Sequence, residues 1–212
     1  MKTIIPTSLM FTSFLFIATL AHAQNKFAIS ATAAPFYGHS RAWGTLVLPA
    51  EDGSGTLVSQ DWSSEASTLG YSVGLNGRYS INPKWSLATG FWFNQSRPKD
   101  GNYKGRSNNF AIPLFVNFQS SERKLSPYFS AGTLWNFRTT SRVNVPDVGT
   151  VIFKSDRGTR RIAPSVGAGM IYNFDSRLSL VAQPTFTYFI PPADINIRSY
   201  QIGLQMQVML RL

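Results

Sequence analysis

The sequence predicts an all-β fold, an eight-stranded antiparallel up-and-down transmembrane β-barrel, and three observations carry that reading. Apolar and polar residues alternate with a period of two over long stretches, which is the signature of strands with one greasy and one polar face. The polar parity is built from small residues with few acids, while the apolar parity begins or ends in aromatics at the turns, as Tyr79 and Trp85 do. That pattern suits a lipid-facing wall with an interfacial aromatic girdle better than the core of a soluble sandwich. Past the first two dozen residues, no segment approaches the roughly 18 to 20 unbroken apolar residues that a spanning helix needs.

The clearest stretch is Leu69 to Gln95. Leu69, Tyr71, Val73, Leu75 and Tyr79 share one parity, and Gly70, Ser72, Gly74, Asn76 and Arg78 share the other. After the turn Asn82-Pro83-Lys84, the run Trp85, Leu87, Thr89, Phe91, Phe93 opposes Ser86, Ala88, Gly90, Trp92 and Asn94, completing a hairpin.

The remaining strands follow the same rule. The first runs from Lys26 to Tyr37, with Phe27, Ile29, Ala31 and Ala33 outward, and a long Gly/Ser/Asp-bearing loop reaches Thr68. After a polar segment from Arg97 to Asn108, the fourth strand turns Phe110, Ile112, Leu114, Val116 and Phe118 outward. The fifth, Ser126 to Phe137, places Phe129, Ala131, Thr133, Trp135 and Phe137 outward. Beyond a long basic segment, the sixth sets Ile162, Val166, Ala168, Met170, Tyr172 and Phe174 against Ala163, Ser165, Gly167, Gly169 and Asn173. The seventh sets Leu178, Leu180, Ala182, Phe186 and Tyr188 against Ser179, Gln183, Thr185 and Thr187. The eighth sets Tyr200, Ile202, Leu204, Met206, Val208, Leu210 and Leu212 outward against Gln201, Gly203, Gln205, Gln207 and Arg211. All ten Asp and Glu residues fall in the expected loops or turns, as a lipid-facing wall requires. Pro113, Pro164 and Pro184 fall inside strands, where each removes a ladder donor, so bulges are expected there.

The ends and the charge narrow the location. Met1-Lys2, the apolar segment Leu9 to Leu20 and the small-x-small site Ala21-His22-Ala23 read as a secretory signal peptide over residues 1–23, leaving a barrel domain over 24–212. Cysteine is absent, which excludes a lipoprotein anchor, disulfides and thiolate chemistry together. Of the 20 Lys and Arg, 19 remain once Lys2 is removed, against 10 acidic residues, for a formal charge of +9. Export argues against nucleic acid as the counter-charge and for membrane lipid and lipopolysaccharide phosphates. The expected connections after the second, fourth and sixth strands are short, and the other four are longer. Short turns are periplasmic in such barrels and long loops external, which places both termini in the periplasm.

At this point the chain resembles the small outer-membrane β-barrel proteins of Gram-negative bacteria, a porin-like family similar in architecture to the transmembrane domain of outer-membrane protein A. The resemblance rests on the signal ending Ala21-His22-Ala23-Gln24, the hairpin strand Tyr71 to Tyr79, Ile112-Pro113-Leu114, Pro127-Tyr128-Phe129-Ser130-Ala131-Gly132 and the alternating C-terminal strand. It spans the mature chain and implies an integral outer-membrane protein. Its motifs are architectural, so they specify a fold better than a task.

Catalysis has little to work with. Barrel enzymes pair a His with a Ser or an acid, and after signal removal the single His is His39, beside Ser40 at the start of the expected first loop. Glu51, Asp52, Asp61 and Glu65 sit in that same loop, and neither a metal cluster nor a phosphate loop appears, so no cofactor is expected. The loops are basic elsewhere: Arg97, Lys99, Lys104 and Arg106 face only Asp100, and six basic residues between Arg138 and Arg161 face Asp147 and Asp156.

The expected function is therefore a non-enzymatic structural, binding or transport-associated role with a plugged lumen, since eight strands leave an interior that side chains fill and Trp92, Phe115 and Phe189 point inward. A narrow solute channel is the alternative, and a lipid-modifying enzyme using His39 stands behind it. Three inward cations, Lys26, Arg78 and Arg211, fall on strands that become neighbours when the barrel closes. They form the candidate site, a lumenal basic cluster at the periplasmic mouth suited to an anionic group of a periplasmic or outer-membrane protein partner.

Overall fold

A computed structural model describes residues 26–49, 57–100, 103–145, 149–154, 160–191 and 196–212; the expected signal segment lies outside them. Nine strands follow in order: β1 (Phe27–Pro49), β2 (Leu57–Ser80), β3 (Trp85–Asp100), β4 (Tyr103–Gln119), β5 (Leu125–Val145), β6 (Gly149–Lys154), β7 (Arg160–Asn173), β8 (Leu178–Phe189) and β9 (Ile197–Arg211). Eight of them close a ring in the order β4-β3-β2-β1-β9-β8-β7-β5, with β5 returning to β4. The ninth, β6, pairs only with the far part of β5, from Thr140 to Val145.

The register fixes the shape. A path from Ala28 through Arg78, Ala88, Phe115, Gly132, Ser165, Thr187 and Gln201 returns to β1 at Gly38, ten residues further along the strand. With strands about 4.8 Å apart and a rise of about 3.3 Å per residue, that stagger tilts the strands by about 40° and gives a backbone cylinder about 16 Å across.

Burial is inverted relative to a soluble protein. Leu75 is 69% exposed and Leu114 56%, whereas Gln183 is 1% exposed and Ser30, Thr32, Asn76 and Ser130 are buried. The outward parities expected for all eight ring strands hold. Aromatic pairs mark both edges of the apolar belt. Phe27–Tyr79, Trp85–Phe118 and Tyr172–Phe174 lie at the end bearing the termini, with centroids 4.8–5.1 Å apart. At the other end Phe93–Phe110 and Trp135–Phe137 lie 5.5 and 6.0 Å apart.

The turns at the terminal end are short and capped by their own side chains. Asn82 Oδ1 accepts from the backbone N–H groups of Lys84 and Trp85 at 2.9 and 2.8 Å, and Asp175 Oδ1 accepts from those of Arg177 and Leu178 at 2.7 and 2.6 Å. These are Asx-type turns, in which a short acceptor replaces a missing backbone partner. The N–H of Leu178, then that of Arg177, holds the Asp175 carboxyl below its usual pKa.

Three expectations need correction. The stretch Tyr37 to Thr68 is not one loop, because β1 and β2 stay paired up to Pro49 and Leu57. Consequently Asp61 and Glu65 lie within a strand, and Asp100 ends β3. They are tolerated because they stand beyond the apolar belt, where Asp61 accepts from Thr45 Oγ1 at 2.7 Å and Glu65 pairs with Arg41 at 3.4 Å. The prolines, finally, make no bulges. Pro113 pairs with Leu134 while the β3–β4 ladder skips it, Pro184 pairs with Leu204 while the β7–β8 ladder skips it, and Pro164 pairs with Thr133 just before β7–β8 pairing starts at Ser165. The register is the same on both sides of the Pro113 and Pro184 gaps. Successive residues of an antiparallel strand direct their N–H groups to alternate neighbours, so a proline deprives one ladder and spares the other. Among the described residues the single register shift lies between Asn108 and Asn109 in β4–β5.

Candidate functional site: the lumen and its two mouths

The three cations singled out from the sequence line one cavity of about 280 Å³ at the terminal mouth, with Asn82, Gln119, Glu122 and Met209. The closing seam brings them there, since Ala28 on β1 stands opposite Arg78 on β2 and Arg211 on β9. Lys26 is an exposed turn residue one position before β1 rather than the opening residue of the strand.

Arg78 is the unusual member. It is 8% exposed, its Nη1 approaches Met209 Sδ at 3.4 Å, and its guanidinium lies 5.4 Å from the centre of the Tyr128 ring. A thioether is a weak acceptor and a ring face a partial counter-charge, so neither replaces a carboxylate. Arg211 donates through Nη2 to Asn173 Oδ1 at 3.0 Å, and the same oxygen accepts from Ser179 Oγ at 2.8 Å. Among the described residues, no carboxylate lies within 4.0 Å of a nitrogen of Lys26, Arg78 or Arg211. The mouth is thus a concave surface with an excess of positive charge, three cations against Glu122 in the same lining.

Inward from the mouth the lumen is packed. Ala28, Tyr128, Ile171, Val181 and Met209 form a first apolar layer, and Trp92, Ala111, Phe115, Leu134 and Ala163, with Phe189 against them, form a second. Polar side chains join the two. Trp92 Nε1 donates to Asn76 Oδ1 at 2.7 Å, Asn76 Nδ2 donates to Thr32 Oγ1 at 2.7 Å, and Ser130, Gln183 and Gln205 form a chain of bonds at 3.2 and 3.1 Å. A cavity of about 10 Å³ lies where Asn76, Trp92, Phe115, Tyr128 and Gln183 meet.

The closed ring, the outward apolar belt and the aromatic rows at both its edges are those of an outer-membrane-type β-barrel, and the comparisons agree. A model of the outer membrane protein beta-barrel domain family matches residues 7–207. The chain belongs to that family. Among solved structures, Neisserial surface protein A aligns at a TM-score of 0.51 and 16% identity over 88% of this chain and 97% of that one. The N-terminal β-barrel domain of Pseudomonas aeruginosa OprF aligns at 0.41 and 15% identity, over 88% and 98%. The outer membrane protease OmpT from Escherichia coli aligns at 0.45 and 8% identity, over 89% and 97%. At such identities the likeness speaks to fold alone. No curated protein matches the sequence.

At the far mouth of this outer-membrane barrel a second cavity of about 280 Å³ is lined by Phe36, Ser72, Asn94, Asn136, Phe189 and Tyr200 among others. His39 and Ser40 reach its rim, but within β1 rather than at the start of a loop. Consecutive strand residues point to opposite faces. His39 packs at a tilt against Tyr200 with centroids 5.5 Å apart, and Ser40 Oγ donates to the Ala66 carbonyl at 3.5 Å. Both line this cavity, and each is engaged by a different neighbour. Among the described residues no group of His, Asp and Glu suits a metal ion.

Sequence reasoning missed the layer nearest the terminal mouth. Ile171, Val181 and Met209 are apolar residues on the polar parity of their strands, and Met209 interrupts the series Gln201, Gly203, Gln205, Gln207 directly before Arg211. That interruption was the available signal.

Proposed function

We propose that this outer-membrane barrel is a closed, non-enzymatic protein with a structural and binding role, both termini in the periplasm and its long strand extensions outside. The observation that carries the reading is the double apolar layer across the lumen, between mouths of about 280 Å³ each. Short side-chain-capped turns on the terminal side, against paired strands running to Pro49 and Leu57 on the other, support the orientation. The opposed directions of His39 and Ser40 support the absence of a catalytic pair. In planar bilayers the purified protein is expected to give no steady conductance. Reproducible single-channel steps would establish the channel alternative instead.

The binding role centres on Lys26, Arg78 and Arg211, whose excess of charge over Glu122 fits an acidic segment of a periplasmic or outer-membrane protein partner. Arg78→Glu is expected to abolish capture of that partner by a photo-crosslinker at Asn82 in intact cells. The barrel should stay folded, because the new carboxylate faces Arg211 and Lys26 across the same cavity. Undiminished capture would remove this mouth from the account.

A further inference from the structure

We infer that the membrane face of β4, β5, β7 and β8 holds one acyl chain of a glycerophospholipid from the leaflet on the terminal side, with the lipid's phosphate between Lys84 and Lys124. In the orientation proposed above that is the periplasmic leaflet, and only the naming of the leaflet rests on that reading.

The lipid-facing wall is not filled evenly. On β2 the outward residues Leu69, Tyr71, Val73 and Leu75 are all large, as are Leu204, Met206 and Val208 on β9. On β5 and β7 the outward parity instead carries Ala131 and Ala168, and Pro184 continues the row of Ala168 onto β8. Over these short side chains lies a concavity of about 840 Å³, against about 280 Å³ for each mouth.

The lining asks for hydrocarbon. No charged residue contributes to it, and the two hydroxyl residues, Ser130 and Thr185, are engaged elsewhere. Ser130 Oγ donates to Gln183 Oε1 in the lumen at 3.2 Å, and Thr185 Oγ1 donates to the Gly203 carbonyl at 3.3 Å. A second copy of the barrel would meet this wall as one convex surface against another, touching along ridges. A concavity bounded by the rings of Phe129 and Phe186 accepts a rod instead, and the rods available in the belt are lipid chains.

The course of the groove identifies the leaflet. Trp85, Phe118, Phe129 and Ala168 stand in one register row, and Ala131, Val166, Phe186 and Ile202 in the next row away from the termini. With a tilt of about 40°, each step to the next strand along a row gains about 3 Å of height, and each residue along a strand about 2.5 Å. The groove therefore climbs about 20 Å from Trp85 to Ile202 within a belt about 25 Å tall. Its foot lies in the aromatic row on the terminal side, and its top stops one row short of Tyr188 and Tyr200. A chain laid in it thus has its carboxyl end at the terminal edge.

Cations flank that foot. Lys84 directly precedes Trp85, and Lys124 in the β4–β5 turn holds its Nζ 5.6 Å from the centre of the outward Tyr172 ring. Both lysines are exposed, and neither has a carboxylate of a described residue within 4.0 Å. Glu122, the acid of the same turn as Lys124, lines the lumenal mouth. Lysines at the membrane surface attract anionic headgroups, and a phosphate between these two would leave its acyl chain at the entrance of the groove.

The test is photo-crosslinking of the mature barrel in phosphatidylcholine vesicles doped with a phosphatidylglycerol that carries a diazirine on one acyl chain. With the diazirine midway along the chain, the peptides holding Ala131 and Ala168 should collect at least fivefold more adducts than those holding Ala31 and Val73. Moving it from the carboxyl end to the methyl end should move the adducts from Phe118 and Phe129 to Phe186 and Ile202. Ala131→Phe with Ala168→Phe should lose about tenfold, while Ala31→Phe with Ala33→Phe on β1 changes nothing. If the first pair fails to fold, Ala168→Phe alone should still lose about threefold, as should Lys84→Gln with Lys124→Gln. Adducts spread evenly around the wall, an undiminished filled variant or crosslinks between two copies of the chain would overturn the groove. The reverse order of adducts along the groove would overturn the leaflet, and an undiminished lysine variant the phosphate position. Orientation is read separately, because the chain has no cysteine of its own: on intact cells an impermeant maleimide should label Val47→Cys and spare Ser176→Cys.

Discussion

Replacing Trp92 and Phe115 together by alanine is expected to convert a silent barrel into a conducting one. The two rings lie 6.1 Å apart and fill the lumen with Ala111, Leu134 and Ala163, so the second apolar layer depends on them. Removing an aromatic from a packed interior costs about 3–5 kcal/mol. Part of that loss is offset here, since Asn76, freed from Trp92 Nε1, and the neighbouring Ser30 and Thr32 offer polar partners to entering water. The variant should therefore remain folded, though less heat-resistant, and give discrete conductance steps in planar bilayers. A silent double variant would shift the closure to the layer of Tyr128, Ile171 and Met209.

Gly132→Val is expected to eliminate the folded barrel. A Cβ at this position would overlap the Leu114 carbonyl oxygen and come within 2.8 Å of Phe115 Cα and 2.7 Å of Phe115 Cδ1. The obstacles include backbone of the neighbouring strand, so no rotamer change relieves them, and the cost should exceed the roughly 1–3 kcal/mol typical of overpacking. Unheated samples should lose the fast-migrating folded band on denaturing gels. Gly77→Val is the control, because nothing lies within 4 Å of a Cβ there and the band should persist. A persistent band in Gly132→Val would mean that β4 and β5 pair less tightly than described.

The contrast between those glycines shows what the sequence made legible. Period-two alternation is visible wherever one face meets lipid and the other the packed lumen, so the ring strands and their outward residues were readable. It fades where both faces meet water. The extension of β1 and β2 past Arg41 and Glu65, the tops of β3 and β4 and the short β6 therefore read as loops. The proline bulges were wrong because propensity says that a ladder bond is lost without saying which of two ladders loses it. Lys26, Arg78 and Arg211 were placed together from parity and ring closure alone. Their setting was not readable, because the Met209 and Tyr128 contacts to Arg78 depend on the ten-residue stagger, which no local pattern encodes.

The seam between β1 and β9 joins Ala28 to Arg211 and Ala42 to Ile197, making it the pairing most remote along the chain. Every other ring ladder joins strands adjacent in sequence or separated only by β6. Each of those can form by local zippering as the chain is fed in, but the seam must await the arrival of β9. Until then β1 and β8 each hold a row of unpaired amides and carbonyls, which hydrocarbon does not tolerate. Closure entropy is therefore met last and all at once, so an incomplete barrel has no stable resting place within the bilayer, and insertion and completion become a single kinetic event.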